Sequence, residues 1–389
     1  MLRHASLFSQ VLSLIDRHEF SRCVVELQAE KGAKGFSCWN QFVSMLFCQL
    51  AQAKSLREIT QGLRSCEGKL QHLGVSSAPA RSTLSYANAN RPWELYQNTF
   101  YALLDRCASI APRHKFRFKN KLLSIDSTVI ELCASMFDWA QYRQAKGALK
   151  IHLLLDHDGY LPVFARITEG RENDLKTLQT LHFAKGSIIV MDRAYIDYKL
   201  FERWSVRGVF FVTRMKKNAN WATFEHKDVP KGSNVLRDEI GAFHVWHAGR
   251  KIVHNYRKIT VWREDKQCEM ELLTNNFKLA ARTIGAIYKD RWQIEMFFKA
   301  IKQNLRIKTF VGTSANAVHI QIWTALIAIL LLKYLKMRSQ MGWALSNLTT
   351  LLRWNLFTYR DLWAWINNPF ETLPDPLSGR QLELVLDSS

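Results

Sequence analysis

Hydrophobic residues near the start of the chain recur with the period of an α-helix, which predicts successive helices up to about residue 110. The stretch 39–51 (WNQFVSMLFCQLA) follows this period, and Ser55 with Glu58 gives the next helix a capping-box start. The polar, basic segment 79–92 is predicted to be another helix, with Arg81 near its beginning. Helices joined by short turns are compatible with helix-turn-helix DNA binding, and ordinary bundle helices are the alternative.

From residue 122 the pattern changes to short apolar runs that alternate with helical segments. The run LLSIDSTVI (122–130) is predicted to be a strand, and KIHLLLD and YLPVFARI to be a hairpin that turns at 156–159. A helix from Asp174, the buried strand SIIVMD (187–192) and a helix that ends at Gly208 follow. This order of elements indicates an α/β layer with a central sheet.

Between about residues 209 and 275 the helical period is replaced by short β-rich pieces separated by polar turns, which favours an inserted β subdomain. Helical periodicity then returns over about 278–303 and 320–337. The longest apolar run, Ile322 to Leu332, is shorter than the roughly 20 residues of a membrane span and predicts a buried helix. The Pro-rich, acidic residues from about 369 are expected to be a loosely held tail.

These changes of pattern predict a multidomain α/β protein in five parts. A helical region (1–112), which would be the DNA end-binding region if its helices form a helix-turn-helix, precedes the first part of an α/β core (113–208), and a β-rich insertion (209–275) interrupts that core. The second part of the core (276–345) is followed by a C-terminal helix and tail (346–389).

The charge balance predicts a polyanionic partner. The chain has 54 Lys and Arg against 34 Asp and Glu, a formal net charge of +20, and nucleic acid is the usual partner of such an excess. A membrane surface is less favoured because the basic residues are not gathered beside an apolar anchor. Five cations alternate in one segment, where a strand or extended linker would place them on one side as a stripe for DNA phosphates: Arg113, Lys115, Arg117, Lys119 and Lys121. A solvated edge strand is the alternative reading.

Seven cysteines without a C-x-x-C pair argue against a zinc finger or a disulfide framework and favour reduced thiols in the cytoplasm. The N-terminus has no long apolar stretch because Gln10 and Asp16 interrupt it, so it does not have the pattern of a signal peptide. We therefore expect a soluble, cytoplasmic protein that does not engage a membrane.

Two carboxylates lie on strands that are predicted to be buried. Asp126 lies inside the run 122–130, and Asp192 ends the run 187–192. An unpaired buried carboxylate costs several kcal/mol, so each of these needs a partner, and converging carboxylates suggest a metal ion. An Asp that only caps a loop after a strand is the common alternative.

A third acidic residue has a more specific context. Within IYKDRWQIEMFFKAIKQNL (287–305), one Y-x2-R-x3-E-x6-K pattern comprises Tyr288, Arg291, Glu295 and Lys302. On a continuous helix these four side chains would lie within a stripe of about 60°, beside a separate apolar stripe. A solvated i,i+4 pair of Arg291 and Glu295 is the alternative, but it would not require the Tyr or the Lys.

Together, Asp126, the D-R-x-Y segment at Asp192–Tyr195 and the helix pattern resemble the DDE transposases of insertion-sequence family four. The helical N-terminal region also resembles that of one branch of these enzymes. The resemblance covers about residues 1 to 340. It implies a ribonuclease-H-like core with a β-rich insertion between the second Asp and the Glu.

The resemblance also implies roles for these residues. Asp126 would bridge two divalent metal ions, and Asp192 and Glu295 would each hold one; oxygen ligands favour Mg²⁺, for which Mn²⁺ can substitute. Arg291 and Lys302 would be phosphate clamps, and Tyr288 would donate a hydrogen bond to the DNA backbone. The remaining expected DNA contacts are Arg81, Lys119, Arg193 and Trp262. Trp221, Trp246 and Trp262 are candidates for stacking on a flipped base, although each is more simply a core residue of the insertion.

The leading hypothesis is therefore a cut-and-paste transposase. It would bind the double-stranded terminal inverted repeats of an insertion sequence, cleave to free a 3′-OH and join that end to target DNA, as a homodimer in the bacterial nucleoid. A structure-selective nuclease with the same fold is one alternative. A domesticated DNA-binding protein without catalysis is another, but a pure binder gains nothing from acids placed against phosphate.

Overall fold

A computed structural model describes residues 5–131, 148–216, 218–229, 231–247, 250–304 and 311–371, with side chains described outside 244–254 and 304. The predicted helical region contains a 3-10 helix at Glu67–Leu73 and six α-helices. The helices are α1 (Leu7–Leu12), α2 (Arg17–Glu26), α3 (Cys38–Leu50), α4 (Leu56–Arg64), α5 (Arg81–Asn90) and α6 (Glu94–Ala108). The helices predicted over 39–51 and 79–92 are thus confirmed as α3 and α5.

The capping box before α4 is confirmed in a slightly shifted form. The Ser55 side chain accepts a hydrogen bond from the Glu58 amide at 3.1 Å. The Glu58 carboxylate accepts from the amide of Lys54 at 2.8 Å, one residue before the cap instead of at the cap itself. Both bonds satisfy amides that would otherwise lack a partner at the helix start.

Nine strands form one mixed sheet in the order β3-β2-β1-β4-β5-β9-β8-β7-β6. They are β1 (Leu122–Glu131), β2 (Ala148–Asp156), β3 (Leu161–Glu169), β4 (Ile188–Met191), β5 (Phe210–Arg214), β6 (Trp221–His226), β7 (Val235–His247), β8 (Arg250–Arg263) and β9 (Cys268–Thr274). Strands β1, β4 and β5 are parallel neighbours, and the other pairs are antiparallel. The protein is a mixed α/β protein with a helical N-terminus, and the hairpin predicted at 156–159 joins β2 and β3.

The β-rich segment 209–275 extends this sheet instead of forming a sheet of its own. Its first strand, β5, pairs in parallel with β4, and its last strand, β9, pairs antiparallel with β5. Without these strands the backbone N–H and C=O groups at that edge of the sheet would lack hydrogen-bond partners, and the segment supplies them. Within the segment, Arg257 makes two buried hydrogen bonds to Asp238, at 2.8 and 2.7 Å.

The remaining helices cover the two faces of the sheet or close the helical region: α7 (Asp174–Thr180), α8 (Tyr198–Val206), α9 (Ala281–Asp290), α10 (Trp292–Asn304), α11 (Ala315–Arg338), α12 (Leu345–Asn355) and α13 (Leu362–Asn367). Successive strand residues point to opposite faces. Leu122 and Val190 therefore share a core with Ile287 of α9, whereas Leu123 and Phe201 of α8 belong to the core on the other face.

The pattern 287–305 was predicted to be one helix, and the structure corrects this. The helix breaks at Arg291, where the Arg291 amide donates to the carbonyl of Tyr288 at 3.2 Å and the Ile294 amide donates to that of Arg291 at 3.0 Å. These bonds span three residues instead of four, which tightens the turn. The break coincides with a change of core. Ile287 packs with Leu122 and Val190 of the sheet, whereas Ile294 packs with the helical region.

The helical region shares its core with the C-terminal helices. Trp323 of α11 is 1% exposed and packs against Phe100 of α6 with ring centroids 5.3 Å apart and against Trp93 at 6.4 Å. By length and composition α11 could cross a membrane, but 83% of its most apolar window is buried inside the protein. This matches the buried helix predicted around Ile322 to Leu332.

The cationic segment before β1 is irregular backbone and not a strand. Its five cations are exposed and alternate with half-buried His114, Phe116 and Phe118, as the extended-linker reading predicts. Six cysteines among the described residues are free thiols, and Cys133 lies outside those residues. The predicted tail beyond residue 371 also lies outside them.

Replacing Trp323 tests the shared core. Trp323→Ala should lower the free energy of unfolding by about 3–5 kcal/mol, because it leaves a cavity between α6 and α11. Trp354→Ala is the matched control, since Trp354 of α12 is 70% exposed, and should change stability by no more than about 0.5 kcal/mol. Urea unfolding of both variants measures the difference, and equal losses would contradict a core that joins the two regions.

Candidate active site

The register of two parallel strands brings Asp126 and Asp192 to one edge of the sheet. Ser124 of β1 is the partner of Val190 of β4, and each carboxylate lies two residues further along its strand direction. Asp126 lies on the same face of β1 as Leu122, because side chains alternate along a strand. That face is the one covered by α9.

Glu295 lies in the first turn of α10, which packs on β1. Arg291, at the break between α9 and α10, bridges two carboxylates: its Nη1 lies 3.2 Å from Asp126 Oδ2, and its Nη2 lies 2.5 Å from Glu295 Oε1. The Tyr288 hydroxyl lies 3.5 Å from Asp192 Oδ1. Three acids from three separate elements therefore converge with one guanidinium and one phenol.

The ionisation of this cluster reflects its burial. The pKa of Asp126 is raised to about 6, mainly by burial and also by the acids Glu295 and Asp192, against the opposing effects of the Ser127 amide and Arg291. Burial likewise raises the pKa of Tyr288 to about 12, so its phenol is protonated at neutral pH and can donate a hydrogen bond.

The donor chemistry at this cluster suits a hard cation. Carboxylate oxygens are the ligands that Mg²⁺ and Mn²⁺ prefer, and the raised pKa of Asp126 means that an added positive charge here would be favourable. In the present arrangement no three His, Cys, Asp or Glu side chains of the described residues are close enough together to hold a metal ion. Arg291 instead spans two of the three acids.

Lys302 lies on the other side of Asp126. Its Nζ donates to Thr128 Oγ1 at 2.5 Å and to the Val129 carbonyl at 3.1 Å. A cavity of about 380 Å³ adjoins Lys302, Asp126 and Glu295. Both cations of the four-residue pattern therefore lie next to the carboxylates, and in this structure both contact groups of the protein itself.

A larger cavity of about 870 Å³ opens between the β-rich segment and the α9–α10 pair. It is lined by Tyr288, Arg291 and Glu295 on one side and by Trp262 on the other. Trp221 instead packs against Phe243 at 5.2 Å in the core of the segment. The side chain of Trp246 lies outside the described residues.

Two further residues of this cavity were missed by the sequence analysis. Trp292 follows Arg291 directly, and its side chain is 57% exposed. A tryptophan directly beside the four-residue pattern was the sequence signal that could have identified it. Arg214 ends β5 and reaches the cavity only because β5 pairs within the sheet, which no local pattern indicates.

The other predicted DNA contacts lie outside the two cavities. Arg193 directly follows Asp192 and is exposed, Lys119 is exposed on the linker, and Arg81 is exposed at the start of α5. Two cations of the linker stripe have acidic partners: Lys121 pairs with Asp156, and Lys115 Nζ lies 2.6 Å from Asp290 Oδ1.

Comparison with known proteins gives consistent matches. Residues 117–331 match the family model described as a transposase DDE domain, and residues 3–76 match a domain of unknown function, DUF4372. The chain is 31% identical to transposase y4zB of Sinorhizobium fredii, over 74% of this chain and 80% of that protein. It is 27% identical to the transposase for insertion sequence element IS5377 of Geobacillus stearothermophilus, over 65% of this chain and 67% of the relative.

A solved structure of piggyBac transposase, in a synaptic complex with hairpin DNA, aligns with 95% of this chain and 81% of that chain. The TM-score is 0.42 and the sequence identity 10%. A likeness of this size carries no argument about the present site.

The bridge between Arg291 and Glu295 can be measured by a double-mutant cycle on Arg291→Met and Glu295→Gln. The free energy of unfolding in urea should give a coupling of about 1 kcal/mol or more, because Arg291 is 13% exposed and screening is weak. The exposed pair Arg22–Glu19 is the matched control, with an expected coupling of about 0.5 kcal/mol or less. Zero coupling at Arg291–Glu295 would contradict the bridge.

Proposed function

Because the chain belongs to the DDE transposase family and is related to transposases of IS4-type insertion sequences, we propose that it cleaves the ends of such an element and joins them to target DNA. The observation that supports this best is the convergence of Asp126, Asp192 and Glu295 at one edge of the sheet. The strand order β3-β2-β1-β4-β5, with β1, β4 and β5 parallel, supports a ribonuclease-H-like core for the reaction.

We infer that Asp126, Asp192 and Glu295 would hold two divalent ions, Mg²⁺ or Mn²⁺. Such ions, when bound, would supply neutralisation of charge on the reacting phosphate and activation of water or a 3′-OH as the nucleophile. The contribution of the chain is to carry its three acids on separate rigid elements at one edge of the sheet, which orders the reacting groups.

The neighbouring cations and phenol are suited to hold the DNA backbone. Arg291 lines the larger cavity, so its guanidinium, which contacts Asp126 and Glu295 in this structure, is placed to donate to a phosphate oxygen there. Lys302 borders the smaller cavity beside Asp126, and Tyr288 lines the larger one with a protonated hydroxyl. In this proposal Trp262 contacts DNA in the larger cavity.

The DNA partner is double-stranded terminal-repeat and target DNA. The formal charge of +20 favours this polyanion, and the exposed cations Lys119, Arg193 and Arg81 extend the basic surface from the core to the helical region. Two element ends require two active sites, so the DNA complex is proposed to be a homodimer in the bacterial nucleoid. Inverted repeats that flank the gene would support the assignment directly.

The three acids can be tested separately from DNA binding. Asp126→Asn, Asp192→Asn and Glu295→Gln should each abolish strand cleavage and leave DNA affinity unchanged or higher, because each removes a metal ligand and also a charge that repels phosphate. Glu269→Gln, at an exposed glutamate of β9, is the control and should cleave normally. Gel-shift and nicking assays run in parallel measure both quantities, and normal nicking by one of the three variants would remove that residue from the site.

Salt dependence separates the phosphate clamp from the metal ligand. Lys302→Ala should weaken the DNA complex and lower the slope of log affinity against log salt by about one unit, because one phosphate contact releases about one counterion. Its cleavage should recover in part at low salt, where screening is weaker. Glu295→Gln should not recover at any salt concentration. Rescue of Glu295→Gln but not of Lys302→Ala would reverse the two roles.

A further inference from the structure

A chain of buried polar side chains links β1 to the end of α9 beside the carboxylate cluster. The Oγ of Ser124 lies 2.7 Å from His157 Nε2, and His157 Nδ1 lies 2.7 Å from Asp290 Oδ2. These three residues are 0%, 1% and 4% exposed. They come from β1, the turn after β2 and the last residue of α9, so the chain joins three elements.

The hydrogen bond to Asp290 has a defined direction. Ionised Asp290 can only accept, so His157 Nδ1 carries a hydrogen and donates it. His157 Nε2 lies at hydrogen-bond distance from the Ser124 hydroxyl, which can donate or accept. Burial raises the pKa of Asp290, but hydrogen bonds from His157 and Lys115 outweigh this and hold it below its ordinary value. The hydroxyl of Tyr160 also donates to Asp290, at 3.1 Å.

A Ser–His–Asp sequence of contacts can mark a nucleophile, but burial excludes that role here. Ser124 is fully buried between strand neighbours and α9, so no substrate reaches its hydroxyl. What the chain does reach is the proposed active site, at both of its ends. Ser124 precedes Asp126 by two residues on the same face of β1, and Asp290 directly precedes Arg291.

We propose that Ser124, His157 and Asp290 form a positioning relay that sets the α9–α10 break against β1, and thereby holds Arg291 and Glu295 in register with Asp126. The expected effect of this relay on DNA cleavage rests on the proposed function. Its expected effect on the structure does not. The break lies where the two helices pass from one core to the other. Directional hydrogen bonds add a restraint at that point to the apolar packing on either side.

The relay reaches the surface at Lys115. The Nζ of Lys115 lies 2.6 Å from Asp290 Oδ1, and its side chain is 62% exposed. It can therefore be changed without altering buried volume. Arg166 offers a matched control, since its side chain is 41% exposed and pairs with Glu172 at 3.3 Å, on β3 and away from α9.

Hydrogen–deuterium exchange of the full chain without DNA tests the relay independently of activity. Amides of residues 287–296 should exchange about tenfold faster in Ser124→Ala and in Lys115→Met, because the break loses its restraint. Exchange there should stay at the wild-type rate in Lys115→Arg, which retains a donor for Asp290, and in Arg166→Gln. Wild-type exchange in both Ser124→Ala and Lys115→Met would overturn the proposal. If Ser124→Ala does not fold, Lys115→Met alone decides.

Cleavage by Ser124→Ala then tests the consequence for the reaction. At saturating DNA its cleavage rate should fall about tenfold, because Arg291 and Glu295 are less well placed. DNA affinity should change much less, since Arg291 is the one proposed DNA contact that the change weakens. Arg166→Gln should cleave at the wild-type rate. Faster exchange with a normal cleavage rate would overturn the positioning role. Absence of cleavage by the wild-type chain would defeat the proposed function instead, and the exchange result would still decide whether the relay exists.

Discussion

The parallel pairing of β1 with β4 is the constraint on which the rest of the site depends. Hydrogen bonds of this ladder align Ser124 with Val190, and the strands then present Asp126 and Asp192 at the same level and on the same edge. A register shift by one residue would turn one carboxylate to the opposite face of the sheet, because side chains alternate. The apolar residues on both faces oppose such a shift, since each strand is buried on two sides.

The second constraint is the break in the helix that carries the remaining site residues. Residues before it pack on the extended part of the sheet, and residues after it pack on β1 and the helical region. A continuous helix could follow only one of these two packing surfaces. The tight turn at Arg291 lets α9 follow the first and α10 the second. The guanidinium is thereby placed between Asp126 and Glu295. The buried contact of Arg257 with the carbonyls of Asn276 and Leu279 further ties the β-rich segment to the start of α9.

The three acids of the site are opposite in sign to the net charge of the whole chain. The protein has a net positive charge, yet Arg291 offsets only part of the charge of the three acids, so the site favours cations within a surface that favours polyanions. In the proposed reaction this opposition would bring metal ions and phosphate together. The cations of the site contact groups of the protein: Arg291 contacts acids, and Lys302 contacts Thr128 and a backbone carbonyl.

The order of most helices and strands, the sign of the charge, the family and the candidate acids could be predicted from the sequence, because these follow from local periodicity, composition and a short motif. Asp126 inside one apolar run and Asp192 at the end of another suggested two carboxylates near each other. Three features required the folded chain: 209–275 continues the sheet, the helix breaks at Arg291, and the helical region shares its core with α11. The contacts among Ser124, His157 and Asp290 were beyond reach for the same reason: residues far apart in sequence are brought together by packing, and packing leaves no periodic trace in the chain.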